Sequence, residues 1–287
     1  MEAARSIQLT SRPDGIAVLT FDQPGSKANV LSPAMWTDFL AVLQEAAAMA
    51  PLHGLILRSA KPGIFIAGAD LNVIGSAKST HDPAVKALID QGLRVLETLE
   101  RFPAPTVAAI DGAALGGGLE VALACDFRAV GSHPKCNLGL PETMLGLIPG
   151  WGGTQRLPRI VGLEQAAEML TTAQPIPAAR AVDIGLVDAS FDSGRLEDSA
   201  ANLLLSRDSS ARRQQKAAAI PEQIRNRFKA SITVRPTAAR MALLAMEKGA
   251  DKPLGEAIAC ETAAFMQLAG SEESRQLIEA FFNRKKA

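Results

Sequence analysis

The chain has 287 residues, with Lys+Arg 30 balanced by Asp+Glu 30 and 47% hydrophobic residues. This suits a soluble globular protein that builds a real core, as one large domain or one domain with an appendage. Zero formal charge, 4% aromatics and no tyrosine argue against a dedicated nucleic-acid binder, which needs a basic face and stacking rings.

In chain order, Pro13-Asp14-Gly15 is a turn signal opening an apolar strand, Ile16–Phe21. Ser32 reads as an N-cap with Pro33 at the first helical position, and a helix runs to about Met49. Gly54–Arg58 reads as a buried strand, and Ile64–Ile66 as a shorter one that enters Gly68-Ala69-Asp70. Helical periodicity covers Pro83–Glu100; Thr106–Ile110 is a strand after Pro103 and Pro105. Gly116-Gly117-Gly118 opens a helix through about Ala124, and Asp126–Val130 is the next strand. Past Asp188 the strand signals fade. Arg195–Ser206, Pro221–Lys229, Thr237–Lys248, Leu254–Ala269 and Glu272–Asn283 all read as helices, with polar Ser206–Gln215 expected as a mobile connector.

Strand–helix alternation predicts an α/β layered fold. The phosphate loops of nucleotide-binding folds, GxGxxG after a strand and GxxxxGK[ST], are both missing. Cys125, Cys136 and Cys260 form no CxxC pair, and His53, His81 and His133 lack metal-ligand spacing. The expectation is no metal, no disulfide scaffold and a reducing compartment. No apolar run is long enough to span a membrane, and the first residues lack a signal-peptide core, so the expected location is cytoplasmic.

The stretch Ala109–Glu120 carries most chemical information. Consecutive glycines at a helix N-terminus expose unpaired N–H groups at the positive end of the dipole, with no Cβ to block a ligand. Such a place suits an oxygen that becomes negative. An equally open reading is a glycine turn that only permits tight strand–helix packing. Phe65–Asp70 is a second turn of this kind, and N–H groups near Ala69 and Gly117 can form a two-donor oxyanion hole. Asp70 reads better as a local Asx-type cap. Glu120 and Glu142 each follow a glycine-rich turn. They are either an acid/base pair or two solvated first-turn glutamates favoured by the helix dipole; spacing does not decide whether they meet.

Together these residues resemble the crotonase superfamily, also called enoyl-CoA hydratase/isomerase. The resemblance rests on Ser26–Leu31, Phe65–Asp70, Asp111–Glu120, Ala124-Cys125-Asp126, Gly139–Glu142, Leu145–Gly150 and Gly152–Leu157, in that order. It implies a spiral of ββα units, residues 1–205, with a C-terminal helical region, residues 206–287. It also implies a coenzyme A thioester as substrate, with no separate cofactor. The thioester carbonyl would sit against the backbone N–H groups of Ala69 and Gly117. By the same resemblance Glu142 would protonate C2 of a 2-enoyl chain, and Glu120 would hold and deprotonate the water that attacks C3. Hydration in fatty-acid β-oxidation is the implied activity, with Δ3,Δ2-enoyl-CoA isomerisation as the alternative. A non-catalytic acyl-CoA-binding module needing a partner domain is a second alternative. The substrate-binding positions it implies are Lys27, Ala28, Ala67, Gly68, Asp70, Gly116, Pro141, Gly150 and Trp151. Trp151 either shapes the acyl pocket or packs under its loop. Arg58, Lys61 and Arg284-Lys285-Lys286 are weaker phosphate candidates.

The run Val130–Asn137 is about two residues longer than the family pattern. His133 and Cys136 lie within it, and a lengthened surface loop explains them better than a reactive pair. The segments Arg235–Lys248, Pro253–Ala257, Glu261–Phe265 and Ser271–Phe282 are similar to the end of the hydratase domain in multifunctional fatty-acid oxidation alpha subunits. That likeness implies a dehydrogenase domain or a thiolase as partners. The wider family implies a homo-oligomer, a trimer or hexamer.

Overall fold

The computed structural model describes residues 5–217 and 237–284. The expected helix Pro221–Lys229 lies outside them. The strands are β1 (Ile7–Ser11), β2 (Ile16–Phe21), β3 (Gly54–Ser59), β4 (Gly63–Ile66), β5 (Thr106–Ile110), β6 (Gly112–Leu115), β7 (Phe127–Val130), β8 (Asn137–Gly139), β9 (Ile176–Pro177) and β10 (Ala189–Ser190). The helices are α1 (Pro33–Ala47), α2 (Leu71–Gly75), α3 (Pro83–Glu100), α4 (Gly117–Ala124), α5 (Gly153–Val161), α6 (Leu163–Thr172), α7 (Ala178–Asp183), α8 (Leu196–Ser206), α9 (Ser210–Ala217), α10 (Thr237–Gly249), α11 (Leu254–Leu268) and α12 (Glu272–Arg284). Strands and helices alternate through β10 and helices alone follow, a mixed α/β fold with a C-terminal helical region.

The chain divides into two compact units. The first gathers residues 1–69, 94–138 and 176–213. It holds a six-stranded sheet in the order β1-β2-β3-β5-β7-β10 and a four-stranded sheet in the order β4-β6-β8-β9. Only β1 runs antiparallel to its neighbour in the larger sheet. A largely parallel sheet must be covered on both faces, so its strands are apolar at nearly every position rather than alternating. Ile16, Val18, Ile56, Val107, Ala109, Phe127 and Ala129 pack against Ala200, Leu203 and Leu204 of α8. The opposite side of β2 carries Phe21, whose ring meets Phe39 of α1 edge-on at 5.1 Å and Phe65 at 6.1 Å. Ser32 caps α1 by accepting from the Met35 N–H at 3.2 Å.

Three expectations are corrected by the observed elements. Ser206–Gln215 is not a loose connector: α9 fills most of it. Arg213 of α9 donates to Asp126 Oδ1 and Oδ2, both at 2.8 Å, and to the Ala104 carbonyl at 3.0 Å. Arg212 pairs with Asp188. Both aspartates are nearly fully buried, so the polar face of α9 has its partners inside the unit. Asp126 itself precedes β7 instead of opening it, and it also accepts from the Thr106 N–H at 3.0 Å. β6, Gly112–Leu115, is a strand where a turn was expected.

The second unit gathers residues 70–93, 139–175 and 214–287, and its described part is mainly helical. Glu142 sits in a 3-10 turn, Pro141–Leu145, ended by Gly146 in the left-handed conformation. Here α5 and α6 pack on each other and on α10, and α11 packs on both α5 and α10.

Candidate active site

The first unit assembles the glycine turns. β4 and β6 are parallel neighbours, with Gly63 opposite Gly112 and Ile66 opposite Ala114. Each chain leaves its strand into a turn, and the two turns touch. A Cβ on Gly68 would meet the Leu115 carbonyl oxygen at 3.3 Å, and a Cβ on Gly118 would collide with the Ile66 carbonyl. Glycine is required at Gly68 and Gly116 for a second reason, their φ of 120° and 54°.

The direction of the two candidate donors follows from peptide geometry. In a planar trans peptide the C=O and the next N–H point opposite ways. The Gly68 carbonyl accepts from the Leu31 N–H at 2.9 Å. The Ala69 N–H therefore points away from that segment. The Gly116 carbonyl accepts from Leu119 N–H at 2.8 Å and Glu120 N–H at 3.1 Å, along the start of α4. The Gly117 N–H therefore points out of the helix N-terminus. No backbone carbonyl takes either N–H among the described residues. Each donor is held rigid by the acceptor at its back, which is the preorganisation an oxyanion site needs.

Asn29, within the Ser26–Leu31 motif but given no role by the sequence, supports the first turn. It is fully buried. Its Nδ2 donates to Ser59 Oγ at 2.9 Å and to the Phe65 carbonyl at 3.0 Å, and its Oδ1 accepts from Gln23 N–H at 3.0 Å. The Asn29 carbonyl also accepts from Ala67 N–H at 2.9 Å. Asn29 thus ties the Lys27–Ala28 loop to the turn that carries Ala69. Lys27 is exposed on that loop, which Ser26 closes by donating from Oγ to the Ala28 carbonyl at 2.7 Å.

Glu120 lies one turn into α4, a helix buried at every position. Its side chain is 1% exposed, so this is no solvated first-turn glutamate. A buried carboxyl beside a glycine turn is a candidate for acid/base chemistry.

The remaining positions belong to the second unit. Asp70 caps α2, its Oδ1 accepting from the Asn72 N–H at 3.0 Å and Nδ2 at 2.8 Å; this is the local cap read from sequence. Pro141 and Glu142 stand at the head of the 3-10 turn, both partly buried. Gly150 is buried. Trp151 is 2% exposed and donates from Nε1 to the Ile89 carbonyl at 3.2 Å, with its ring over Gly92. The indole is therefore packed on α3. An open groove of about 920 Å³ lies between α2 and α12, with Leu71, Ile278 and Phe282 on its apolar side and Asn72, Glu272 and Arg275 on its polar side.

Other candidates have local partners. Arg58 pairs with Glu197 and Lys61 with Asp22 at 2.6 Å. Arg284 is exposed, and Lys285 and Lys286 lie outside the described residues. His133 Nδ1 faces the Lys135 N–H at 3.1 Å, whereas the Cys136 thiol is buried against the Ile110 carbonyl at 3.6 Å. Their side chains have different partners. Burial pushes the Cys136 thiol above its ordinary pKa, the opposite of what a reactive thiolate needs. Among the described residues no His, Cys, Asp and Glu group has metal-site geometry, and no helix is long and apolar enough to cross a membrane.

A family model described as enoyl-CoA hydratase/isomerase matches residues 11–234. The chain belongs to that family. It is similar to an enoyl-CoA hydratase from Bacillus anthracis, at 28% identity over 97% of this chain and 96% of that one, with a TM-score of 0.64. It is also similar to Pseudomonas aeruginosa DspI, at 29% identity over 75% of this chain and 86% of that one, again with a TM-score of 0.64. The human mitochondrial delta3-delta2-enoyl-CoA isomerase shares the fold, with a TM-score of 0.74 at 23% identity over 98% of both chains.

Proposed function

We propose that the protein is an enoyl-CoA hydratase that adds water across the double bond of a 2-trans-enoyl-CoA to give a 3-hydroxyacyl-CoA, as a step of cytoplasmic fatty-acid β-oxidation. The observation that carries this reading is the pair of outward-facing amides at Ala69 and Gly117 with a buried carboxyl, Glu120, three residues beyond the second.

The chemistry runs as follows. The thioester oxygen accepts hydrogen bonds from the two amides. Water, held and deprotonated by Glu120, attacks C3. The electron pair of the double bond moves toward the thioester oxygen as an enolate, and the amides stabilise it. One such donor is worth about 3 kcal/mol of barrier. Glu142 then delivers a proton to C2, and the product leaves as the 3-hydroxy thioester. General acid–base transfer of this kind contributes about 10²–10⁴ in rate. Lys27 is the exposed cation we assign to the coenzyme A phosphates.

The family description also covers isomerases, and the same enolate chemistry supports Δ3,Δ2-isomerisation as a side activity, with one glutamate carrying a proton between C2 and C4. Two carboxyls favour hydration as the main reaction, because it needs a base for the water and an acid for C2. Absorbance of the conjugated thioester should fall when enzyme is added to 2-enoyl-CoAs of short, medium and long chain. No change with any of them would overturn the assignment.

A further inference from the structure

Glu261 is fully buried in α11, far along the chain from every residue assigned above. Its carboxylate accepts from the Gly152 N–H at 2.5 Å, the Thr154 N–H at 2.7 Å and the Thr154 hydroxyl at 2.6 Å. These groups form the N-terminus of α5, whose own N-cap is Gly152 and has no side chain to offer. Glu261 therefore caps α5 from another helix. It meets orphan N–H donors and the positive end of the helix dipole in one contact.

The same face of α11 grips the preceding loop. Phe265, one turn beyond Glu261, lies against Gly150: a Cβ there would meet its ring at 3.1 Å and Ile89 at 2.8 Å. Trp151 is tied to the Ile89 carbonyl at 3.2 Å, and Arg156 holds the Trp151 carbonyl. The other end of this loop begins at Leu147, whose N–H donates to the carbonyl of Glu142 at 3.1 Å. Two residues, Ile148 and Pro149, separate that bond from the segment α11 clamps at Gly150.

We propose that Glu261 is a positioning residue for Glu142. By fixing Gly152 and Thr154 it sets where the Leu147–Gly152 loop ends, and so where the 3-10 turn presents its carboxyl. The catalytic part of this inference rests on the hydratase reading; the mechanical part does not. Placement errors of about 1 Å in such a group cost about a hundredfold in rate.

The test uses three variants of the full chain: Glu261→Gln, Thr154→Val and Thr154→Ser. The first puts an amide NH2 against an N–H donor. The second removes one hydroxyl donor at constant volume, so the proposal stands testable if the first fails to fold. The third keeps the hydroxyl. Amide hydrogen exchange read by mass spectrometry should speed up about tenfold in the Pro141–Gly150 peptide for Glu261→Gln and Thr154→Val, and stay at the parent rate in β5. In turnover of 2-enoyl-CoA, kcat should fall about tenfold with KM within about twofold, and Thr154→Ser should restore both. Faster exchange confined to Gly152–Thr154, or variants with unchanged kcat per folded molecule, overturns the proposal. If the parent chain hydrates no enoyl-CoA, the hydratase reading fails, and the exchange pattern alone decides whether Glu261 holds the Glu142 segment.

Discussion

Ala69 and Gly117 occupy equivalent places on two neighbouring parallel strands, each three residues past the paired Ile66 and Ala114. Both leave the carboxyl end of their strand, where open α/β sheets present ligand sites. Ala69 stands two residues before α2, and Gly117 is the first residue of α4. The equivalence leaves two backbone N–H groups at matching places past the strands, neither taken by a backbone carbonyl among the described residues.

Gly117→Pro removes one donor while keeping the helix. Proline fits the first helical position, and no described carbonyl depends on this N–H. The rate of enoyl-CoA hydration should fall about 10²–10³-fold, with thermal stability near the parent value. A variant that keeps full activity shows that Gly117 is not a donor.

Glu120→Gln and Glu142→Gln test the two carboxyls separately. Each should lower kcat by about 10²–10⁴ and leave acyl-CoA binding, measured by calorimetry, within a few-fold. A variant that retains turnover removes that glutamate from the acid/base assignment.

Gly118→Ala should be costly although alanine is the better helix former. The added Cβ collides with the Ile66 carbonyl, a backbone atom that cannot rotate aside. The expected loss is about 1–3 kcal/mol in denaturant unfolding. A stabilised variant would mean the β4 and α4 turns are less closely packed than described.

Arg213→Ala tests the anchoring of α9. The guanidinium holds its proton more firmly than usual, first because of its hydrogen bonds to Asp126 and against the cost of burial. Its side chain remains 35% exposed, so solvent screening limits its worth. The loss should be about 1–2 kcal/mol, with exchange in α9 approaching that of an open segment. Unchanged exchange there would show that the ion pair does not hold the helix.

Cys136 should resist alkylation at pH values where Cys260, partly exposed, reacts. Burial raises the Cys136 thiol, so the folded chain binds that proton more tightly than the unfolded chain does. The linked stability is complete below the ordinary thiol pKa and is lost as pH rises beyond it. Cys136→Ala should therefore lose less stability than the parent between mildly and strongly alkaline pH. Equal losses would remove the thiol as a source of alkaline sensitivity.

What the sequence shows of this fold depends on how local the signal is. The cap at Ser32, the helix Pro83–Glu100 and the strand Thr106–Ile110 are set by proline, capping and apolar period, all within a few residues. The donor turns are visible because their glycines meet steric demands on the spot. β6 is hidden because Gly-Ala-Ala-Leu has no β-branched residue; its strand conformation comes from pairing with β4. α9 looked like a connector because its charges lack partners nearby, and the buried Asp126 and Asp188 that receive them are distant in sequence. Glu261 is the extreme case. Nothing around it marks a helix cap, because the helix it caps is α5.

Mass analysis of the product formed from a 2-trans-enoyl-CoA in heavy-oxygen water separates hydration from the other reactions. The expected product is a 3-hydroxyacyl-CoA carrying one solvent oxygen, which establishes hydration. An isomer of unchanged mass, free coenzyme A, or no product at any chain length would contradict it.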